Sequence, residues 1–255
     1  MEMNCNQCQE AAKGIGCTVF GVCGKSPELS ALMDTFIYSL IGLSSLAVEA
    51  KKLEINTEEI DLFVIEGLFA TITNANFDEE EFVSRIQASI NYREQYKALL
   101  QEKGIVLPSA AIYELDVKTK EEMIHKALHL AIHQTEDEDI RSIRELMLFG
   151  LKGLAAYLSH AEKLSYKNEA LFSAAHEFMA SLVNDELTLE QYVPMTLALG
   201  EVGVQAMALL DEANTTTFGN PEISTVEIGV GTRPGILITG HDLHDLKQLL
   251  EQTKD

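Results

Sequence analysis

Residues 26–52 read SPELSALMDTFIYSLIGLSSLAVEAKK, and their reading sets the architecture. Ser26-Pro27-Glu28 has the form of an N-cap, a proline in the first helical position and an acid in the first turn. Behind it Leu29, Leu32, Met33, Phe36, Leu40, Leu43 and Ala47 recur at close to 3.6 residues, which predicts a helix with one apolar face running to residue 52. The apolar run inside it, FIYSLIGLSSLAV, is interrupted by serines and reads as too short to span a bilayer.

Downstream, Asn56 with Glu59, Asp78 with Glu81, Thr119 with Glu122 and Thr188 with Gln191 each pair a cap with an acid or amide three residues on, the signature of a helix start. Amphipathic patterns follow over 60–73, 82–102, 122–133, 140–161, 169–182 and 192–212, so the body is expected to be all-helical, as one or two antiparallel bundles. At DEANTTTFGNPEIST, residues 211–225, the threonines, Gly219 and Asn220-Pro221 stop the pattern, and we place a boundary near residue 218. Beyond it, 226–228 and 235–239 read as strands and 242–252 as a helix.

A strand followed by a helix is one step of an α/β layer, which needs neighbouring strands to bury its apolar run. The expected organisation is a helical domain at 1–218 and the start of an incomplete α/β domain at 219–255, the whole forming the N-terminal portion of a longer protein. Exposed strand edges in 219–255 would pair with a second copy, fold back or stay disordered, so a homo-oligomer through this tail is one expectation.

Forty acidic against 19 basic residues give a formal charge of −21, which would repel a phosphate backbone and argues against nucleic-acid partners. Hydrophobic residues at 46% fit a globular core. No basic segment followed by an apolar one opens the chain, which points to a cytoplasmic protein with no membrane partner.

Working outward to the N-terminal side, residues 1–25 read MEMNCNQCQEAAKGIGCTVFGVCGK and hold every cysteine of the chain: Cys5, Cys8, Cys17 and Cys23. In a reducing compartment, clustered thiols point to metal binding rather than to disulfides. The spacing C-x2-C-x8-C-x5-C, threaded with Gly14, Gly16, Gly21 and Gly24, suits a loop that turns its backbone around an iron–sulfur cluster. A structural zinc also accepts four thiolates, and that reading stays open on spacing alone, as do separate thiols or disulfides.

The cysteine loop resembles the N-terminus of the hybrid cluster, or prismane, protein family of hydroxylamine reductases. GLFATITNANFDEEEF at 67–82, GNPEISTVEIGV at 219–230 and GILITGHDL at 235–243 extend the likeness across the chain. The resemblance implies a mainly α fold of two three-helix bundles, followed by two α/β domains of which this chain holds only the first strand-helix unit. It further implies a [4Fe–4S] cluster on Cys5, Cys8, Cys17 and Cys23, which relays electrons from an electron donor to a hybrid iron–sulfur–oxygen cluster. One ligand of that second cluster would be His241, and its remaining ligands lie in the α/β domains. With no fifth cysteine in the chain, this portion alone is expected to be inactive towards hydroxylamine. Nitric oxide or peroxide as substrate, or a non-enzymatic helical module on a four-cysteine zinc, are the alternatives.

Two further groups carry weaker expectations. His125, His129 and His133 stack along one helix face and are read as border residues of its apolar stripe, with adventitious metal binding as the lesser alternative. Asn74 and Asn76 in TITNAN are read as helix-terminating residues rather than as groups facing a cluster.

Overall fold

The computed structural model describes residues 3–10, 12–73, 75–107, 115–127, 130, 135–240 and 243–254. Among these, eight α-helices and no strand are formed: α1 (Pro27–Lys52), α2 (Glu58–Ile72), α3 (Glu79–Glu102), α4 (Lys120–Ala127), α5 (Glu138–Lys163), α6 (Glu169–Ser181), α7 (Leu189–Phe218) and α8 (Leu243–Gln252). The protein is mainly α, as expected. The caps of α1, α3 and α7 work as the residue types require, whereas the N-cap of α2 is Thr57 rather than the expected Asn56, whose Oδ1 accepts the Glu58 N–H. The Ser26 hydroxyl accepts the Leu29 N–H, Asp78 accepts from Glu80 and Glu81, and Thr188 with Gln191 closes a full capping box.

The expected single apolar face of α1 needs correction: every residue from 29 to 47 is buried, because α2, α3, α4 and α6 all pack on it. Several of its polar positions are small hydroxyls that are sealed in and find partners within the protein. Ser39 and Ser45 donate to the carbonyls of Phe36 and Ile41, while Thr35 donates to the Met123 carbonyl of α4 at 2.7 Å. Phe36 then meets Phe63 of α2 and Phe82 of α3 edge-on, with ring centroids 6.0 and 5.9 Å away.

α1 packs most closely on α3 and α6, α2 on α5, and α5 on α7, so that the helices share one continuous core. On α7 the buried side chains Tyr192, Leu199, Ala206 and Ala213 recur every seven residues, a narrow seam against α5. Gly150 lets α5 approach there, since a Cβ would stand 3.1 Å from Leu199 Cδ2. Arg144 pins the junction, donating to Tyr192 Oη, Thr135 Oγ1, the Asn184 carbonyl and Asp185.

Two expectations are corrected. Residues 226–228 and 235–239 are not strands but irregular and mostly exposed, for the physical reason that neither finds a neighbouring strand with which to share hydrogen bonds. The helix expected at 242–252 is present as α8. Further, α1 does reach the length and hydropathy that could cross a membrane, as does α7. For α1 this reflects its place at the centre of the core. The outward face of α7 instead shows Val193, Leu197, Val204 and Met207 to solvent.

Candidate metal centre

The cysteine loop lies across the start of α1, the end of α2 and the middle of α5. A 3-10 turn at Ala12–Gly14, with Lys13, Gly14 and Gly16 all at positive φ, folds the loop back so that the Cys5 N–H donates to the Cys17 carbonyl at 3.1 Å. This brings the first and third cysteines side by side. A second tight turn sets the fourth: Gly21 N–H donates to the Lys25 carbonyl at 2.9 Å, and a Cβ on Gly21 would stand 3.0 Å from Lys25 N and 3.2 Å from Cys23 Sγ. All four cysteines are free thiols, Cys17 buried and the others half-buried. Among the described residues, no three His, Cys, Asp or Glu side chains are grouped so as to hold a metal ion.

The surroundings of the sulfurs are donors. Val22 N–H points at Cys17 Sγ at 3.5 Å. Lys25, itself buried, sits 3.8 Å from Cys23 Sγ, while its ammonium also reaches the Thr73 carbonyl at 3.5 Å and the Phe77 ring. The Ser30 hydroxyl of α1 is buried without a hydrogen bond of ordinary geometry and stands beside the Cys5 thiol. Burial pushes the Cys5 thiol up from its ordinary value, against the pull of Ser30 and of the Gln7 backbone.

Beneath the loop is a buried polar chain. Lys152 of α5 is wholly enclosed and donates to the Gln7 carbonyl at 2.8 Å and to Gln7 Oε1 at 3.0 Å. Gln7 Nε2 in turn donates to Asp34 Oδ1 of α1 at 2.6 Å. Burial pushes the Lys152 ammonium down to about 7, with Asp34, Cys5 and Cys8 acting the other way.

This donor set fits a cluster held by thiolates. Soft sulfur ligands on a loop, an orphaned hydroxyl beside one sulfur, an N–H on a second and an ammonium at a third are arranged to face negative charge.

The remaining expected residues are placed as follows. His241, His129, His133 and Asn74 lie outside the described residues. His125 of α4 borders a shallow pocket with Glu121, Glu122 and Lys126, where no second histidine joins it among the described residues. Asn76 Oδ1 accepts the Asp78 N–H at 3.3 Å, so it shapes the turn ahead of α3 rather than terminating α2, which ends at Ile72 with Thr73 as its cap. Near the start of α8, Leu243 and His244 face His160, Leu210 and Phe218 across a cavity of about 740 Å³.

Gln7, Ser30, Asp34 and Lys152 were not singled out from the sequence. A signal for the last two exists: each is a lone charge inside an otherwise apolar helical run, LSALMDTFIYSL and LMLFGLKGLAAYL. Also missed is a second buried constellation: His176 joins Asp61 Oδ1 through Nε2 at 2.8 Å and Ser44 Oγ through Nδ1 at 3.1 Å. The order Ser–His–Asp mimics a hydrolytic triad, yet all three side chains are sealed in the core, where no substrate reaches Ser44. Its role is to tie α1, α2 and α6 together.

A helical body with a four-thiol loop seated on buried cations defines the class, a mainly α protein with a cysteine-rich N-terminal loop. The particular family follows from comparison: residues 3–255 match the Prismane/CO dehydrogenase family, and the chain belongs to that family. It is 46% identical to the hydroxylamine reductase of Thermoanaerobacter pseudethanolicus, covering 99% of this chain and 46% of that protein. The hydroxylamine reductases of Desulfitobacterium hafniense, at 46% identity over 100% of this chain and 47% of the relative, and of Clostridium tetani, at 45% over 100% and 49%, are similar to it as well. The chain thus spans about half the length of the curated relatives it matches.

Proposed function

We propose that this chain is the N-terminal, electron-entry part of an iron–sulfur oxidoreductase that reduces hydroxylamine, NH2OH + 2 e⁻ + 2 H⁺ → NH3 + H2O. Cys5, Cys8, Cys17 and Cys23 would hold a [4Fe–4S] cluster, which when bound supplies one-electron transfer. The observation that carries the reading is the set of four free thiols whose neighbours, Ser30, Val22 N–H and Lys25, are hydrogen-bond donors.

The chain's own residues then have separable tasks. Lys25 stabilises the Cys23 thiolate by charge, while Phe77 covers the outer side of that ammonium. Val22 N–H holds Cys17 Sγ in place, and Ser30 Oγ donates to Cys5 once its thiol has lost its proton. The reduction itself belongs to a second, hybrid iron–sulfur–oxygen cluster in the complete protein, with His241 as the ligand this chain contributes; alone, the chain is inactive towards hydroxylamine. The free thiols suit the cytoplasm, and the acidic surface leaves nucleic acid out as a partner.

The test is anaerobic reconstitution with iron and sulfide, followed by metal and acid-labile sulfide analysis. Iron and sulfide in equal amounts with broad visible absorption support the reading; stoichiometric zinc in a colourless protein overturns it in favour of a structural zinc on the four cysteines.

A substitution probes the same geometry. Gly21→Ala drives a methyl group against the Lys25 backbone and Cys23 Sγ, so Cys23 is displaced from its place in the set. Cluster retention against a chelator is expected to fall about 10-fold relative to wild type, the scale of outer-shell disruptions of metal sites. Equal retention would show that Cys23 does not bind from this position.

A further inference from the structure

The residue that binding and relay leave unexplained is Lys152. In a chain with 19 basic against 40 acidic residues, placing an ammonium in the core is a choice against the general rule that lysines stay at the surface. Another wholly buried cation, Arg144, is satisfied by Tyr192, Thr135, Asn184 and Asp185, which accounts for it structurally. Lys152 is different. Both of its hydrogen-bond acceptors are neutral oxygens of one residue, Gln7, and Asp34 is reached only through that residue's amide. A buried cation held by neutral oxygens destabilises the fold unless negative charge gathers nearby. Negative charge reaches it from Asp34 and from the loop it touches, since Gln7 lies between Cys5 and Cys8 in sequence and the fields of Asp34, Cys5 and Cys8 act on the ammonium, opposed by that of Lys25.

We propose that Lys152 is the internal counter-charge and mooring of the cluster: it holds the Cys5–Cys8 turn against α5 and raises the potential at which the bound cluster accepts an electron. This rests on the cluster reading above. The mooring is geometric. Bonds from one ammonium to both the carbonyl and the side-chain oxygen of Gln7 fix the turn to the middle of α5, a rigid element of the core. The electrostatic part follows from direction alone: an electron added to an already anionic thiolate-bound cluster is stabilised by a cation in a low-dielectric wall, and net charge with nearby donors is what sets cluster potentials. Lys152 is a positioning residue rather than a catalytic one, because it touches the loop and not the reacting atoms.

The experiment uses the full chain, reconstituted with iron and sulfide, as wild type, K152Q and K152R. Reductive titration with dithionite and redox mediators, followed by electron paramagnetic resonance, reads the midpoint potential beside iron and sulfide content. K152Q keeps a polar side chain but removes the charge and the ammonium bonds to Gln7; it is expected to load less iron and sulfide than wild type, and the cluster it holds is expected to have its ratio of reduced to oxidised form lowered at least tenfold at the wild-type midpoint, a shift of about 59 mV for one electron. K152R, which keeps the charge, is expected within threefold of wild type on the same ratio. A K152Q midpoint indistinguishable from wild type overturns the proposal. Should K152Q fail to hold a cluster, K152R must restore both loading and potential, and its failure to do so also overturns it. A wild-type protein that takes up no iron sinks the cluster reading itself, a result distinct from a loaded K152Q with an unmoved potential.

Discussion

A Cys17→Ser chain is expected to fold like wild type and to lose its iron–sulfur absorption on desalting under conditions where wild type retains it. Cys17 is the most enclosed of the four thiols, and three features fix it: its carbonyl accepts the Cys5 N–H, its sulfur accepts the Val22 N–H, and its neighbours exclude water. A serine oxygen at that place is harder and far less acidic than a thiol, so it neither matches soft iron–sulfide chemistry nor ionises near neutral pH. The fold is insulated from the change because α1 to α7 build their core without the loop's cysteines. Far-UV circular dichroism should therefore be unchanged, and the stability of the cluster-free chain should fall by about 1 kcal/mol, the usual scale of a single substitution. Iron and labile sulfide per chain are the deciding measurements. A C17S protein with a wild-type spectrum and full iron would remove Cys17 from the ligand set; a C17S protein that no longer folds cooperatively would mean the loop supports the core more than its packing indicates.

How much of this was legible in the sequence differs by residue. Helix starts were, because capping is local: Ser26, Asp78, Thr119 and Thr188 need only their own next turn to declare themselves. The cysteine loop was legible for a similar reason, since spacing and glycines lie within one short segment. What stayed hidden depends on partners far away in the chain. Lys152 is 145 residues from Gln7, and His176 is 115 residues from Asp61. A lone charge in an apolar run announces that something must satisfy it, but not what. The same logic explains the miss in α1, where the positions outside the expected apolar face, Thr35 among them, are sealed by contacts with distant helices such as α4 and α6. The strands expected at 226–228 and 235–239 failed in the opposite sense: an apolar alternating run is a strand only when another strand is beside it, and here neither run has one.

Asp61→Asn is expected to lower stability by about 3 kcal/mol, at the lower end of the range for breaking a buried ion pair from one side. Asp61 is fully enclosed and takes Lys51 Nζ on one oxygen and His176 Nε2 on the other, both at 2.8 Å. Asparagine keeps the volume but removes the charge, and it presents an N–H where one of the two donors now points. The lower end applies because Lys51 is 19% exposed and lies 3.8 Å from Glu169, so it can turn outward, whereas His176 cannot. On a helical body of this size, the melting temperature should fall by about 6–12 °C. The pH dependence has a definite sign. Burial raises the Asp61 carboxyl, but its bonds and charge interactions with His176 and Lys51 prevail and hold it below the ordinary value of 3.8. A carboxylate depressed in the folded state contributes stability that is fully present above its unfolded value and is lost as pH falls through the folded one. The gap between wild-type and D61N melting temperatures should accordingly be open at pH 5 and close only below about pH 4, as the Asp61 carboxylate is protonated. A gap under one degree at neutral pH, or one that widens in acid, would show that the Ser44–His176–Asp61–Lys51 chain does not lock α1, α2 and α6 together. Because these helices carry Ser30 and Asp34 beneath the cysteine loop, a loosened D61N core should also release iron faster, so that the melting curve and cluster retention report one linkage from two ends.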